Sequence, residues 1–228
     1  MDFETARREM VERQLAARGL RDERVLEAMG TVPREAFVPD RLAKFSYEDM
    51  PLPIGVGQTI SQPYVVAWMA EALELRPGER VLEIGAGSGY AAAVLSRVAD
   101  DVYTVERHEE LAERAREHCR ELGYDNVHVL HGDGTLGWAE HAPYDAIVVA
   151  AGGRDVPAPL LDQLAPGGRL VIPVGHDPRL QDLIRVRKID GRLERESLGG
   201  VRFVPLVGGS PPRSSTCASP GGKKCAKS

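Results

Sequence analysis

The run Val81-Leu82-Glu83-Ile84-Gly85-Ala86-Gly87-Ser88-Gly89-Tyr90 constrains this chain more than any other stretch. A short apolar segment ends in three glycines at two-residue spacing, and Ala91-Ala92-Ala93-Val94-Leu95 follows. The first part reads as a strand buried on both faces, the last as a helix. Glycines between them permit a tight turn and let backbone amides come close to a ligand. The expectation is a nucleotide-type cofactor site at the carboxyl end of a parallel strand.

Two details bear on which cofactor. The dinucleotide fingerprint is Gly-x-Gly-x-x-Gly, whose third glycine falls one residue later than Gly89 does here. Glu83 precedes the first glycine by two positions, and a carboxylate there would repel a pyrophosphate. S-adenosylmethionine has no phosphate and carries an ammonium and a sulfonium, both favoured by an acidic rim. The competing reading gives Glu83 a structural part, capping the next helix or pairing with Arg80. Downstream, Val102-Tyr103-Thr104-Val105-Glu106 reads as a second strand ending in an acid, seventeen residues beyond Gly89. That is close to the spacing at which a carboxylate accepts from both ribose hydroxyls. A third strand, Val127-His128-Val129-Leu130, runs into His131-Gly132-Asp133-Gly134, where Asp133 either holds an adenine amino group or simply makes a turn. Together the three strand ends favour S-adenosylmethionine.

From Arg80 onward strands near Val81, Val102, Val127, Ala146 and Leu170 alternate with helices. Such alternation predicts an α/β fold with a doubly wound, mostly parallel sheet. Ahead of it, residues 5–17 have helical periodicity, Asp22 can cap a second helix through Met29, and Pro63 suits the first turn of a helix to about Leu75. Pro33, Pro39, Pro51 and Pro53 break the chain between them. After Pro173 an apolar–charged alternation over 180–189, an Asp190-Gly191 turn and a further strand over 201–207 predict an antiparallel edge hairpin. Residues 1–207 are expected to form a single unit: amino-terminal helices and a substrate-side loop (1–79), a cofactor-binding core (80–175), then the hairpin and final strand (176–207). Residues 208–228 are Gly, Ser, Pro and Lys with little apolar content, and are expected to be disordered.

A net charge of −5 gives no electrostatic footprint for a phosphate backbone, so no nucleic-acid partner is expected. No apolar run approaches the roughly 20 residues of a membrane span, and the charged start is unlike a secretory signal. Cys119, Cys217 and Cys225 suggest neither a disulfide framework nor a metal cluster, and Cys119 reads as a small buried side chain. A cytoplasmic, monomeric protein is the expectation.

Three blocks carry a resemblance over nearly the whole chain: Leu52-Pro53-Ile54-Gly55-Val56-Gly57-Gln58-Thr59-Ile60-Ser61-Gln62-Pro63, the glycine block above, and Val201-Arg202-Phe203-Val204-Pro205-Leu206. In these the chain resembles the bacterial form of the protein-L-isoaspartate O-methyltransferase family, which implies that the sheet is of the S-adenosylmethionine-dependent methyltransferase type. The glycine block is shared by many methyltransferases; the other two are specific. The resemblance implies methylation of the free α-carboxylate left at isoaspartyl residues of aged proteins and peptides. The ester then closes without further enzyme help to a succinimide, which opens partly to normal aspartate. It also implies that Ser61 is the active-site serine and that Thr59, Ile60, Gln62 and Tyr64 border the cofactor. Glu83, Ile84, Gly85, Gly87, Ser88, Gly89, Glu106, Asp133 and Gly134 fall on the cofactor pocket. Val56, Gly57, Gln58, Val204, Pro205 and Leu206 fall on the substrate side. One departure is Ala150-Ala151-Gly152-Gly153, where relatives often carry Pro or further Ala, and a looser rim of the substrate cleft is expected there. The other is the tail, which matches nothing in the family.

Such chemistry asks little of side chains. A carboxylate with a pKa near ~4 is already ionised at neutral pH, so no general base is needed. The task is orientation, which contributes on the order of 7–11 kcal/mol for well-placed reactants. Charge is neutralised as carboxylate and sulfonium become ester and thioether, so a strong oxyanion hole would favour the ground state. A single hydroxyl at Ser61 can orient a carboxylate without pinning its charge; alternatively Ser61 only caps the helix at Pro63. Other readings are a methyltransferase for a different acceptor, a nicotinamide-linked oxidoreductase and a non-catalytic binding module.

Overall fold

Residues 2–177 and 179–208 are described by a computed structural model of the chain. The expected disorder of the tail therefore lies outside the described residues, save Gly208. Strands β3 (Arg80–Ile84), β4 (Asp101–Glu106), β5 (Val127–His131), β6 (Tyr144–Val149), β7 (Leu164–Asp177), β8 (Leu180–Ile189) and β9 (Arg192–Val201) form a seven-stranded sheet in the order β5-β4-β3-β6-β7-β8-β9. Pairings from β5 through β7 are parallel, and β7–β8 and β8–β9 are antiparallel. The chain leaves β3 toward β4 and β5, then returns to β6 on the other side. That reversal of winding opens a crevice at the carboxyl ends of β3 and β6, where ligands of such sheets bind.

Side-chain alternation along β3 splits the core. Val81 joins one apolar cluster with Met10, Met29, Phe37 and Leu73, beneath the amino-terminal helices. Leu82 and Ile84 join a second with Ile147, Leu160 and Leu170 on the opposite face. Helices α4 (Tyr90–Leu95), α5 (Glu109–Glu121) and the short α6 (Ala158–Asp162) connect the strands.

The amino-terminal region comprises α1 (Phe3–Glu9), which runs on as a π-helical turn over Met10–Leu15, and α2 (Glu23–Thr31). The Asp22 carboxylate accepts from the Arg24 and Val25 amides, the expected cap. A two-stranded hairpin of β1 (Leu52–Gly55) and β2 (Gln58–Ile60) precedes α3 (Pro63–Ala72). Its turn residues Val56 and Gly57 both have positive φ, +48° and +71°. The Asp190-Gly191 turn between β8 and β9 likewise has φ of +48° and +75°.

One expected element is absent. Residues 202–207 do not form a strand of the main sheet; β9 ends at Val201. Pro205 has no N–H to give to a ladder, and the segment makes only an isolated parallel bridge from Pro205 to Gly152. The chain thus leaves the sheet and crosses its carboxyl end as a strap.

Candidate active site

The crevice is a cleft of about 310 Å³. Its walls come from the turn after β3, the end of β4 with Arg107 and His108, Gly134, and Ala150-Ala151 after β6. Residues 58–61 and the strap residues 204–207 complete it. In the glycine turn, Gly85, Gly87 and Gly89 all have positive φ, at +97°, +55° and +91°. At Gly89 the constraint is doubled, because a Cβ would stand 3.3 Å from the Ala115 Cα of α5. Gly134 is needed for another reason: a Cβ there would lie 2.3 Å from Ile84 Cγ2.

Glu106 closes the end of β4 almost fully buried, at 6% exposure. Its Oε2 accepts from the Gly87 amide at 2.8 Å and its Oε1 from the His108 amide at 2.9 Å. The carboxylate is thus fixed in direction, with lone pairs beyond those two bonds for a ligand's hydroxyls. The Ser88 hydroxyl, in the same wall, is buried and has no hydrogen-bond partner among the described residues. An orphaned hydroxyl beside a locked carboxylate suits a ligand that is polar at both the sugar and the amino-acid end. These residues therefore fit S-adenosylmethionine.

Glu83 takes a different place. It is 1% exposed and belongs to a small, largely apolar cavity beside the cleft, shared with Ser61, Ala91, Ala150 and Phe203. Neither structural alternative holds: Glu83 accepts from the Thr104 hydroxyl at 2.5 Å. Arg80 donates instead to the His141 carbonyl through its side chain and to Asp145 through its amide. Burial pushes the Glu83 carboxyl up to about 7, the Thr104 bond opposes that, and the Glu106 charge adds to it.

Ser61 lies between the two cavities. The capping alternative fails on geometry. The residue before α3 is Gln62, and the Tyr64 amide donates to Asp49 at 3.1 Å, so the cap comes from a distant loop. The Ser61 hydroxyl has no partner among the described residues, while its carbonyl accepts from Arg34 at 2.7 Å. Thr59, Ile60 and Gln58 line the cleft with it. Gln62 and Tyr64 do not: Gln62 reaches Asp49 at 3.4 Å, and the Tyr64 ring lies under the Arg18 guanidinium at 3.5 Å. Val56, Gly57, Gly89 and Asp133 also lie outside the lining. Asp133 caps a 3-10 turn, accepting from the Thr135 amide and hydroxyl at 2.9 and 2.7 Å.

The Gly152 rim is tied rather than loose. The Gly152 amide donates to the Val204 carbonyl and the Leu206 amide to the Gly152 carbonyl, each at 2.8 Å. Buried Gln181 reinforces this, accepting from the Phe203 amide at 2.7 Å and donating to its carbonyl at 3.3 Å. A Cβ on Gly152 would stand 1.9 Å from the Gln181 amide nitrogen, so the glycine makes room for the clamp. Sequence reasoning also missed Arg34, Asp49, Gln181 and His108. His108 lines the cleft, whereas His131 contacts the Arg107 carbonyl at 3.1 Å.

Among the described residues no group of three or more His, Cys, Asp or Glu is arranged to hold a metal ion. No helix there is long and apolar enough to cross a membrane. Cys119 is buried, as expected, and burial pushes its thiol up to about 12.

Known proteins resemble the chain over most of its length. The sequence model of the family "Protein-L-isoaspartate(D-aspartate) O-methyltransferase (PCMT)" matches residues 5–211. Protein-L-isoaspartate O-methyltransferase 2 of Pelobacter propionicus is 64% identical over 87% of this chain and 89% of its own. The protein-L-isoaspartate O-methyltransferase of Brucella anthropi is 55% identical over 91% and 95%. A solved protein-L-isoaspartate O-methyltransferase superimposes with a TM-score of 0.80 at 34% identity, over 89% of this chain and 66% of that one. A putative one from Plasmodium falciparum, in complex with S-adenosyl-L-homocysteine, gives 0.75 at 28% identity, over 88% and 98%.

Proposed function

The chain belongs to the protein-L-isoaspartate(D-aspartate) O-methyltransferase family, and from that premise we infer how its cleft works. The reaction is methyl transfer from S-adenosylmethionine to the free α-carboxylate of L-isoaspartyl residues in damaged proteins and peptides. The ester closes to a succinimide, which begins repair. S-adenosylmethionine supplies a methyl group made electrophilic by its sulfonium. Glu106, the Ser88 hydroxyl and the turn amides are the groups that would hold it, with Gly134 leaving the floor of the cleft open.

The observation that carries the reading is the Ser61 hydroxyl, uncommitted and placed where the cofactor cleft meets the strap. It can donate to an acceptor carboxylate, fixing the oxygen that attacks while leaving its charge to be spent in the reaction. No proton need be removed, consistent with Ser61 and Ser88 hydroxyls that bond to no base among the described residues. The strap and Ala150-Ala151 exclude water from one side, which strengthens attraction between carboxylate and sulfonium.

The test uses purified protein, methyl-labelled S-adenosylmethionine and paired peptides that differ only in isoaspartate versus aspartate. Label is expected on the isoaspartyl peptide alone. Equal labelling of both would remove the specificity, and faster labelling of a metabolite would reassign the acceptor.

A further inference from the structure

The segment that delivers Ser61 to the cleft spans residues 46–61, and one side chain holds both of its ends. Arg34 lies in a short 3-10 turn, Arg34–Phe37, at 0% exposure. Its Nε donates to the Ser46 carbonyl and its Nη2 to the Ser61 carbonyl, each at 2.7 Å. The guanidinium carbon stands 4.8 Å from the centre of the Tyr90 ring, and Tyr90 follows the glycine turn and lines the cleft. Arg34 thus touches all three parts that must agree in position: the start of the segment, Ser61, and the cofactor turn.

No carboxylate forms an ion pair with Arg34 among the described residues, and its Nη1 has no hydrogen-bond partner there. Burial pulls its pKa down and Asp49 attracts it only from beyond ion-pair distance, so a well-packed apolar side chain would generally serve stability better. What a hydrocarbon or an ammonium cannot supply is a planar fork that joins two carbonyls in one fixed geometry. The Ser46 carbonyl would otherwise be buried unpaired, and the part-buried Ser61 carbonyl would lose its tie to the same guanidinium.

We infer that Arg34 is a positioning residue for methyl transfer: by stapling the Ser46 and Ser61 carbonyls it sets the direction of the Ser61 hydroxyl toward the acceptor carboxylate. Arg34 does not itself meet the substrate, and it acts through Ser61. The inference rests on the reading of Ser61 given above. It separates Arg34 from residues that merely hold the fold, because displacing Ser61 disturbs the acceptor side and leaves the Glu106 and Ser88 wall in place.

Arg34→Lys and Arg34→Gln are the variants, the first keeping the charge and the second a neutral donor. The lysine ammonium has no planar fork, and the glutamine amide nitrogen reaches only as far along the side chain as the Arg34 Nε, short of the Nη2 that holds Ser61. Each folded variant is expected to lose about tenfold or more in kcat on an isoaspartyl peptide, the scale of losing one orienting hydrogen bond to a charged group. The S-adenosylhomocysteine dissociation constant, measured by calorimetry, is expected to stay within about twofold. A purely structural Arg34 would lower the melting temperature and leave kcat per folded molecule intact, which overturns the inference. So does a parallel loss of cofactor affinity. The Ser61→Ala background separates the two readings. If Arg34 acts through Ser61, adding Arg34→Lys to Ser61→Ala costs little more in kcat, whereas an equal penalty in both backgrounds overturns the inference. Normal turnover of Ser61→Ala would remove the reading of Ser61 itself. An impaired Ser61→Ala beside an unimpaired Arg34→Lys removes only the role of Arg34.

Discussion

Glu83 shows at the scale of one residue how the fold departs from what position in the sequence suggests. Its place before the glycine turn pointed to a rim charge facing the cofactor. Alternation along β3 turns it instead onto the face opposite Ile84, into the small apolar cavity with Ser61. The chemistry follows from that burial. A carboxyl raised from 4.5 to about 7 keeps its proton in the folded state at pH values where the unfolded chain has released it. Protons bound by the native state in excess make stability fall as pH rises, here through the window from about 4.5 to about 7, and level off above it. The expected outcome is that wild type loses stability relative to Glu83→Gln across that window, on the order of 3 kcal/mol in all. Urea denaturation of both proteins at several pH values measures it. Parallel curves would show that Glu83 ionises normally. Glu106 and the glycines were legible because strand-end spacing is a local property. Arg34 and Asp49 were not, since their partners Ser61 and Tyr64 lie 27 and 15 residues away and are brought near only by the fold.

At the scale of elements, the least legible feature is the strap over 202–207. Its β-rich composition predicts a strand, yet the chain leaves the sheet after Val201 and spends its hydrogen bonds on Gly152 and Gln181. Two glycines after β6 suggested looseness, because a sequence cannot reveal that a glutamine 29 residues onward occupies the space beside one of them. Gly152→Ala should therefore destabilise by about 1–3 kcal/mol through overpacking against a buried amide that has little room to yield. It should also raise the Michaelis constant for peptide more than the cofactor dissociation constant, because Val204, Pro205 and Leu206 lose their anchor. Gln181→Ala removes the clash together with the clamp. Denaturation of both single variants and the double variant should give a double mutant more stable than the sum of the single losses predicts. Strict additivity would mean that the two side chains do not share that space.

At the scale of the whole molecule, the alternating pattern from Arg80 onward made the parallel sheet legible, and the sheet's switch point then fixes where a ligand enters. What the pattern left open was the kind of nucleotide, because a glycine turn at a switch point serves dinucleotides as well. The structure narrows it through the residues gathered there: Glu106 locked by the Gly87 and His108 amides at the end of β4, and a Ser88 hydroxyl without a partner among the described residues near the turn. A ligand that binds only the folded state stabilises by mass action, by about 2.7 kcal/mol at a hundred times its dissociation constant. For a chain of this size each kcal/mol moves the melting temperature by roughly 2–4 °C. S-adenosylhomocysteine at that excess should thus raise the transition by roughly 5–11 °C in a thermal melt. The nicotinamide dinucleotides should leave it unmoved, because the third glycine of the turn falls one residue short of the dinucleotide fingerprint that cradles a pyrophosphate. Glu106→Ala supplies the internal control: it removes the fixed acceptor at the sugar end, so the shift with S-adenosylhomocysteine should shrink while the unliganded fold still melts cooperatively. A shift of the same size with dinucleotide, or none with S-adenosylhomocysteine, would place a different ligand at the switch point.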